Sequence, residues 1–485
     1  MRYLQSKYIR SFSVKDLMLF FTGIGIISLH VFFLPFYIWT AGIVRPWYIL
    51  QGLVPYKDFV WLRMPFDLFL LSGWYEIFGP NGEAYQYFVY TLFILISLSL
   101  FLISRKFIGK CFWLPFVFFI VFLFPLFQNV EEDEMLIGLF NLILFGLMLL
   151  FFNKRRSYLL LPAGIISGLS LVTKQNSGLV IIAVLSSIFL DFFLQKYRVE
   201  KLAKNILILL SGILLPVSLV VFYFLIRGGL KDFLYYTIYF IFGPLRTAYI
   251  TQGDGLWIIA GYMSLLIPFV LFWKKTGIKL QVAFFITAQI LFLLPSLFPS
   301  ALSYKAFTSF PLISLIAGLN LSLLVRKNSL TVTKKIVVIA SFILFIFFTS
   351  RFIESYIGSI QSDGFAKGQY LMDWGEQDKE IATIIKNNSQ KDDKILSYKS
   401  EMIYVLSDRL PANKYVDPFP YLLTPYEETI KVFKDNPAKF VVYDESLPDD
   451  HPGLSEWPFL EFLEENYTMI KKFSDTVIVY KLNSK

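Results

Sequence analysis

Cysteine and histidine are nearly missing from this sequence. Cys111 is the only cysteine in 485 residues, which excludes an intrachain disulfide and any cysteine-based metal site. The two histidines, His30 inside the first apolar segment and His451 near the far end, exclude clustered histidine chemistry. Charge is scarce too: 17% of residues are Asp, Glu, Lys or Arg, against about 25% in ordinary soluble domains. What is present instead is apolar bulk, with 56% hydrophobic residues, 53 Phe, 28 Tyr and a mean hydropathy of +0.59. No soluble core needs that much apolar surface, whereas a bilayer does.

Apolar runs long enough to cross a bilayer fall near 17–37, 84–104, 111–128, 135–152, 157–173, 177–195, 205–226, 256–273, 280–299, 308–325 and 335–350. They predict an all-α polytopic membrane bundle of about eleven transmembrane helices. The first run follows Arg2, Lys7, Arg10 and Lys15, and no small-residue cleavage site comes after it. It reads as an uncleaved signal-anchor.

The net charge of +9 is unevenly spread. Residues 1–350 carry 29 Lys and Arg against 13 Asp and Glu, while residues 351–485 carry 16 against 23. A basic chain often invites a nucleic-acid reading, but these cations sit in short loops between apolar runs, where they orient helices. No nucleic-acid partner is implied. With the N-terminus cytoplasmic, the inner segments hold 21 cations, in clusters such as Arg105/Lys106/Lys110 and Lys154/Arg155/Arg156. The outer loops, though longer, hold eight: Arg45, Lys57, Arg63, Lys174, Arg227, Lys231, Arg246 and Lys305. The positive-inside rule and an odd number of helices then place the acidic tail outside, in a multi-pass protein with membrane lipids as its solvent; a prokaryotic plasma membrane is the expected location, on the family resemblance given below.

The expected organisation is a transmembrane domain at 1–353 and a small soluble extracytoplasmic α/β domain at 354–485. Two outer segments, 38–83 and 227–255, are rich in aromatics and scattered charges, as interfacial helices are. In the tail, "WGEQDKEIATIIKNN" spaces Ile381, Ile384 and Ile385 as a helix does, and "KILSY", "KFVVYDE" and "TVIVYKL" read as strands. The tail holds no recognisable catalytic set and is expected to be regulatory or acceptor-facing.

Ionisable groups near hydrocarbon are costly and are usually functional. Asp58 and Asp67 flank "DFVWLRMPFD" in the first outer loop, and Glu131, Glu132, Asp133 and Glu134 stand together after the third run. Lys174, in "TKQNSG", falls at the same outer boundary. Plainer readings stand beside these. The four acids suit a solvated turn, Lys174 suits a residue snorkelling to headgroups, Asp58 suits a turn or cap, and His30 suits a polar residue satisfied within the bundle. Convergence favours function: carboxylates from two outer loops and a lysine from a third are expected to line one outward cavity. A carboxylate there can deprotonate an acceptor hydroxyl and a lysine can neutralise a phosphate leaving group.

The order "YILQGLVPYKDFVWLRMPFDLFLL", "NVEEDEMLIGLFNLILFGL" and "GLSLVTKQNSGLVIIAVL", with the tail motifs "DDKILSYKSEMIYVLSDRLPANKYVD" and "NPAKFVVYDE", resembles the GT-C superfamily. Within it the sequence is most similar to the protein O-mannosyltransferase and lipid A aminoarabinose transferase type. The resemblance spans nearly the whole chain. It implies a membrane glycosyltransferase that takes a sugar from a polyprenyl-phosphate donor and passes it to a lipid, glycan or protein acceptor outside the cytoplasm. It maps Gly52, Pro55, Tyr56 and Asp58 onto the first-loop motif, an acidic pair onto Glu131–Glu134, and the family's lysine onto Lys174.

Two positions depart from the family's pattern. The first-loop acid to which the family assigns the base role should lie upstream of "QG", where Ile38, Trp39 and Thr40 stand. The His-Tyr pair expected before a proline is replaced by "SYKAFTSFP". The catalytic candidates are therefore Asp58, Glu131, Glu132, Asp133 and Glu134, and the donor-phosphate candidates are Lys174, Arg63 and Arg246. No cofactor is implied, and a divalent metal is compatible with the acids without being indicated by them. The alternatives are a lipid-linked saccharide transporter, which needs two corresponding halves that the sequence lacks, and a non-catalytic membrane assembly protein.

Overall fold

The computed structural model describes residues 13–34, 36–127, 131–240, 254–293, 303–325, 330–363, 370–372, 375–416, 426–446 and 459–483. Arg246 and His451 lie outside them. Eight described helices are long and apolar enough to cross a membrane: Val14–Phe33, Gly82–Ile108, Glu132–Lys154, Gln175–Gln195, Val199–Arg227, Gly255–Thr276, Tyr304–Val325 and Val332–Gln361. Three shorter apolar helices, Trp113–Leu126, Ser157–Thr173 and Leu280–Leu293, occupy the remaining apolar runs of the sequence. Such helices are stable in lipid because every internal backbone group is hydrogen-bonded within its own segment. The last one continues past residue 353 and ends at Asp363.

Contacts divide the chain into two compact units. The first comprises Met1–Tyr37, Gln86–Val220 and Tyr249–Tyr370. It is a helical bundle with exposed apolar side chains such as Leu219, Ile343 and Phe347, which suits contact with acyl chains. Small residues set its closest helix approaches. A Cβ on Gly164 would overlap the Leu209 carbonyl, one on Gly212 would overlap the Leu161 carbonyl, and one on Gly318 would overlap Pro115. Glycine at these positions lets backbones touch, the usual means of helix association in lipid. Polar bridges add to it: Asn320 donates to the Leu265 carbonyl at 2.8 Å, and Ser264 donates to that of Ser341 at 3.0 Å. At one end of Glu132–Lys154, Arg155 pairs with the buried Asp191, which also accepts from Gln281 at 3.2 Å.

The second unit comprises Ile38–Tyr85, Val221–Ala248 and Leu371–Lys485, and so gathers the first outer segment and most of the second with the tail. The first outer segment forms helices Ala41–Leu50 and Phe66–Phe78, joined by a turn in which Tyr56 takes a left-handed φ of 68°. Two hydrogen bonds hold that unusual conformation: Tyr56 N–H to the Phe59 carbonyl at 2.7 Å and Tyr56 O–H to the Arg63 carbonyl at 2.6 Å. The tail carries a four-stranded sheet in the order Ile395–Tyr398, Phe440–Asp444, Val477–Leu482, Tyr467–Lys472. Ile395 lies opposite Phe440 in a parallel pair, while Val442 opposite Val479 and Met469 opposite Tyr480 belong to antiparallel pairs. Helix Glu376–Asn387 and the three strands expected from sequence are all present. The fourth strand was not expected, because beyond Tyr467 its residues are exposed at the sheet edge and carry no apolar alternation.

Candidate functional site

The four acids open helix Glu132–Lys154. Glu131 is its extended N-cap, and Glu132, Asp133 and Glu134 fill the first turn, where exposed amide groups and the helix dipole favour negative charge. Asp133 Oδ1 accepts the Glu134 N–H at 2.8 Å. The acids do not form a solvated turn: Glu131 is 2% exposed, Glu132 4%, and Asp133 and Glu134 0%.

Lys174 closes helix Leu160–Thr173 in an extended conformation, and a tight turn, Gln175–Leu179, follows. Ser177 clamps that turn by donating to the Lys174 carbonyl at 2.6 Å. The lysine is itself buried, so it does not snorkel to headgroups. Its Nζ pairs with Glu134 and stands 3.4 Å from Asp133 Oδ2. The structure thus brings together Asp133, Glu134 and Lys174, whose meeting the sequence only suggested. Residues 134, 138 and 141 share one helix face, by their spacing of four and then three. Along it Gly138 lies against Phe307, and Asn141 donates to the Thr308 carbonyl at 3.2 Å while accepting at its own carbonyl from Gln289 at 2.9 Å. Asn141 and Gln289 are not among the residues singled out from the sequence. Their signal was an amide inside an apolar run, which lipid tolerates only with a partner.

The first-loop candidates belong to the second unit. Asp58 is half-buried, and its Oδ2 accepts the Val54 N–H at 2.8 Å while its own N–H donates to the Val54 carbonyl at 2.9 Å. These bonds close a turn. Arg63 is half-buried with its guanidinium 5.6 Å from the centre of the Trp61 ring. Asp67 is fully buried in the first turn of Phe66–Phe78, close to Tyr56. Burial, and then the Asp67 charge, hold the Tyr56 phenol well above its ordinary pKa. Ile38 and Thr40 are buried, and positions 38–40 themselves hold no acid. Arg45, counted from sequence only as an outer cation, forms a bidentate pair with Glu401. Among the described residues no group of three His, Cys, Asp or Glu side chains is arranged to hold a metal.

No protein-family model matches the chain. No curated protein matches its sequence. Its fold is similar to that of ArnT from Cupriavidus metallidurans. The crystal structure of that protein bound to undecaprenyl phosphate superposes with a TM-score of 0.58 at 12% identity, over 97% of this chain and 98% of that one. The apo structure gives 0.55 at 11% identity, over 96% and 97%. The match runs end to end and includes the tail. The chain is a multi-pass membrane protein with an ArnT-like fold.

Proposed function

We propose that this chain is an inverting membrane glycosyltransferase that moves a sugar from a polyprenyl-phosphate donor to a lipid, glycan or protein acceptor on the extracytoplasmic face. The observation that carries the reading is Lys174, a buried lysine held against two buried carboxylates in a membrane bundle. A fold shared end to end with a protein crystallised with undecaprenyl phosphate supports it. A lipid donor reaches such a site laterally, its phosphate draws Lys174 away from the acids, and the released carboxylates stand ready to take a proton. Lys174 is the first phosphate ligand in this reading, with Arg63 and Arg246 after it. The general base lies among Glu131, Glu132, Asp133 and Glu134. Asp58 is the less suited candidate, since its carboxylate closes its own turn.

About eleven spans, a cytoplasmic N-terminus and an outer tail belong to the same proposal. Its test is transfer by the purified protein from a polyprenyl-phosphate sugar, comparing Asp58→Asn, Glu132→Gln and Glu134→Gln. Loss confined to the second-loop changes supports the assignment. Loss only in Asp58→Asn moves the base to the first loop. The absence of an acid at 38–40 favours a second reading, a non-catalytic polyprenyl-phosphate-binding protein, and donor binding without transfer would select it.

A further inference from the structure

Arg45 and Glu401 are 356 positions apart, yet they form one of the least exposed ion pairs described in the second unit. Arg45 Nη2 donates to Glu401 Oε1 at 2.7 Å and Nε donates to Oε2 at 3.3 Å. This fork matches the planar guanidinium to the carboxylate and fixes the orientation of both. The Arg45 guanidinium also lies 4.7 Å from the centre of the Trp61 ring, the same ring that Arg63 approaches at 5.6 Å. Trp61 Nε1 donates to the Met64 carbonyl at 3.3 Å, and Tyr56 O–H holds the Arg63 carbonyl. A continuous chain of contacts therefore runs from the tail carboxylate through Arg45 and Trp61 to Arg63.

Neighbouring contacts reinforce the same junction. Tyr48, one helical turn beyond Arg45, packs edge-on against Tyr404, one turn beyond Glu401, with ring centres 5.8 Å apart. The Val60 N–H donates to the Lys414 carbonyl at 2.9 Å. The tail is thus bonded to the first outer segment on both sides of the turn that carries Asp58.

We infer that Glu401 is a positioning residue: through Arg45 and Trp61 it sets where Arg63 stands, so the tail tunes how the first outer loop meets the donor phosphate. This rests on the transferase reading, in which Arg63 is a phosphate ligand. Glu401→Gln keeps the size of the side chain and removes its charge, and with it this ion pair. Arg45→Lys is not conservative here, because an ammonium has no fork and no planar face for the indole.

The experiment uses the full chain in lipid nanodiscs and two readouts, amide hydrogen exchange over 59–64 and equilibrium binding of undecaprenyl phosphate. In Glu401→Gln, exchange at 59–64 rises and binding weakens by about 10–100-fold, the worth of one charge-assisted contact, while exchange in Glu132–Lys154 is unchanged. Glu401→Asp, which keeps the carboxylate and leaves Arg45 on the Trp61 ring, retains most of both the protection and the binding. Glu401→Gln added to Arg63→Gln weakens binding no further, which a merely structural role would not produce. Unchanged exchange at 59–64 in Glu401→Gln, or additive losses with Arg63→Gln, overturns the inference. A wild type that binds no undecaprenyl phosphate overturns the transferase reading instead, and this inference with it.

Discussion

Lys174 and Glu134 show how far a single side chain can be read before its neighbours are known. A lysine at the end of an apolar run and four acids after another run are visible in the sequence, but burial is not. In water the acids would repel one another; in the bundle the lysine offsets two of them. Removing one partner of a buried pair typically costs about 3–5 kcal/mol, because the other charge stays buried. Lys174→Met is therefore expected to lower thermal stability in detergent by that order. Lys174→Met combined with Glu134→Gln should recover most of the loss, and equal instability of single and double variants would contradict the pairing. Asp58 allows an equally sharp comparison. Asn at 58 can still accept the Val54 N–H, so Asp58→Asn should keep turnover within about tenfold, whereas loss of a general base costs about 10²–10⁴-fold. Asp58→Ala removes the acceptor, and the unpaired amide should lower stability by about 1–3 kcal/mol.

At the level of elements, the sequence reveals a helix best where its pattern is longest. Among the described residues, every apolar run contains a helix, because an apolar segment in lipid has no other way to satisfy its backbone. The tail strands centred on Leu396, Val441 and Val479 were legible from β-branched runs, while Tyr467–Lys472 was hidden by its exposed edge position. Helix partners were not legible, since lipid supplies no polar face to read; they depend on shape at a few small residues. That dependence is testable. Gly164→Leu forces Ser157–Thr173 away from the helix bearing Leu209, and should unfold the bundle at a lower temperature or lower its yield. Gly25→Ala, where a Cβ meets nothing within 4 Å, should be neutral or slightly stabilising. Equal tolerance of both changes would mean the close approach is absent in the membrane.

For the whole molecule, hydropathy and charge were enough to indicate a membrane bundle with a distinct acidic tail, but not that the tail shares a compact unit with the first outer segment and most of the second. No local pattern announces a bond between residues 45 and 401. The proposed topology predicts that a phosphatase fused after residue 485 is active and a cytoplasmic reporter there is silent; the reverse result would put the tail inside. The proposal that the chain handles a polyprenyl-phosphate donor through Lys174 meets its most direct test in equilibrium binding of undecaprenyl phosphate to the purified full chain in nanodiscs. The wild type should bind saturably, and Lys174→Met combined with Glu134→Gln, expected to stay folded, should bind at least about tenfold more weakly. No saturable binding by the wild type, or equal binding by the double variant, would contradict it.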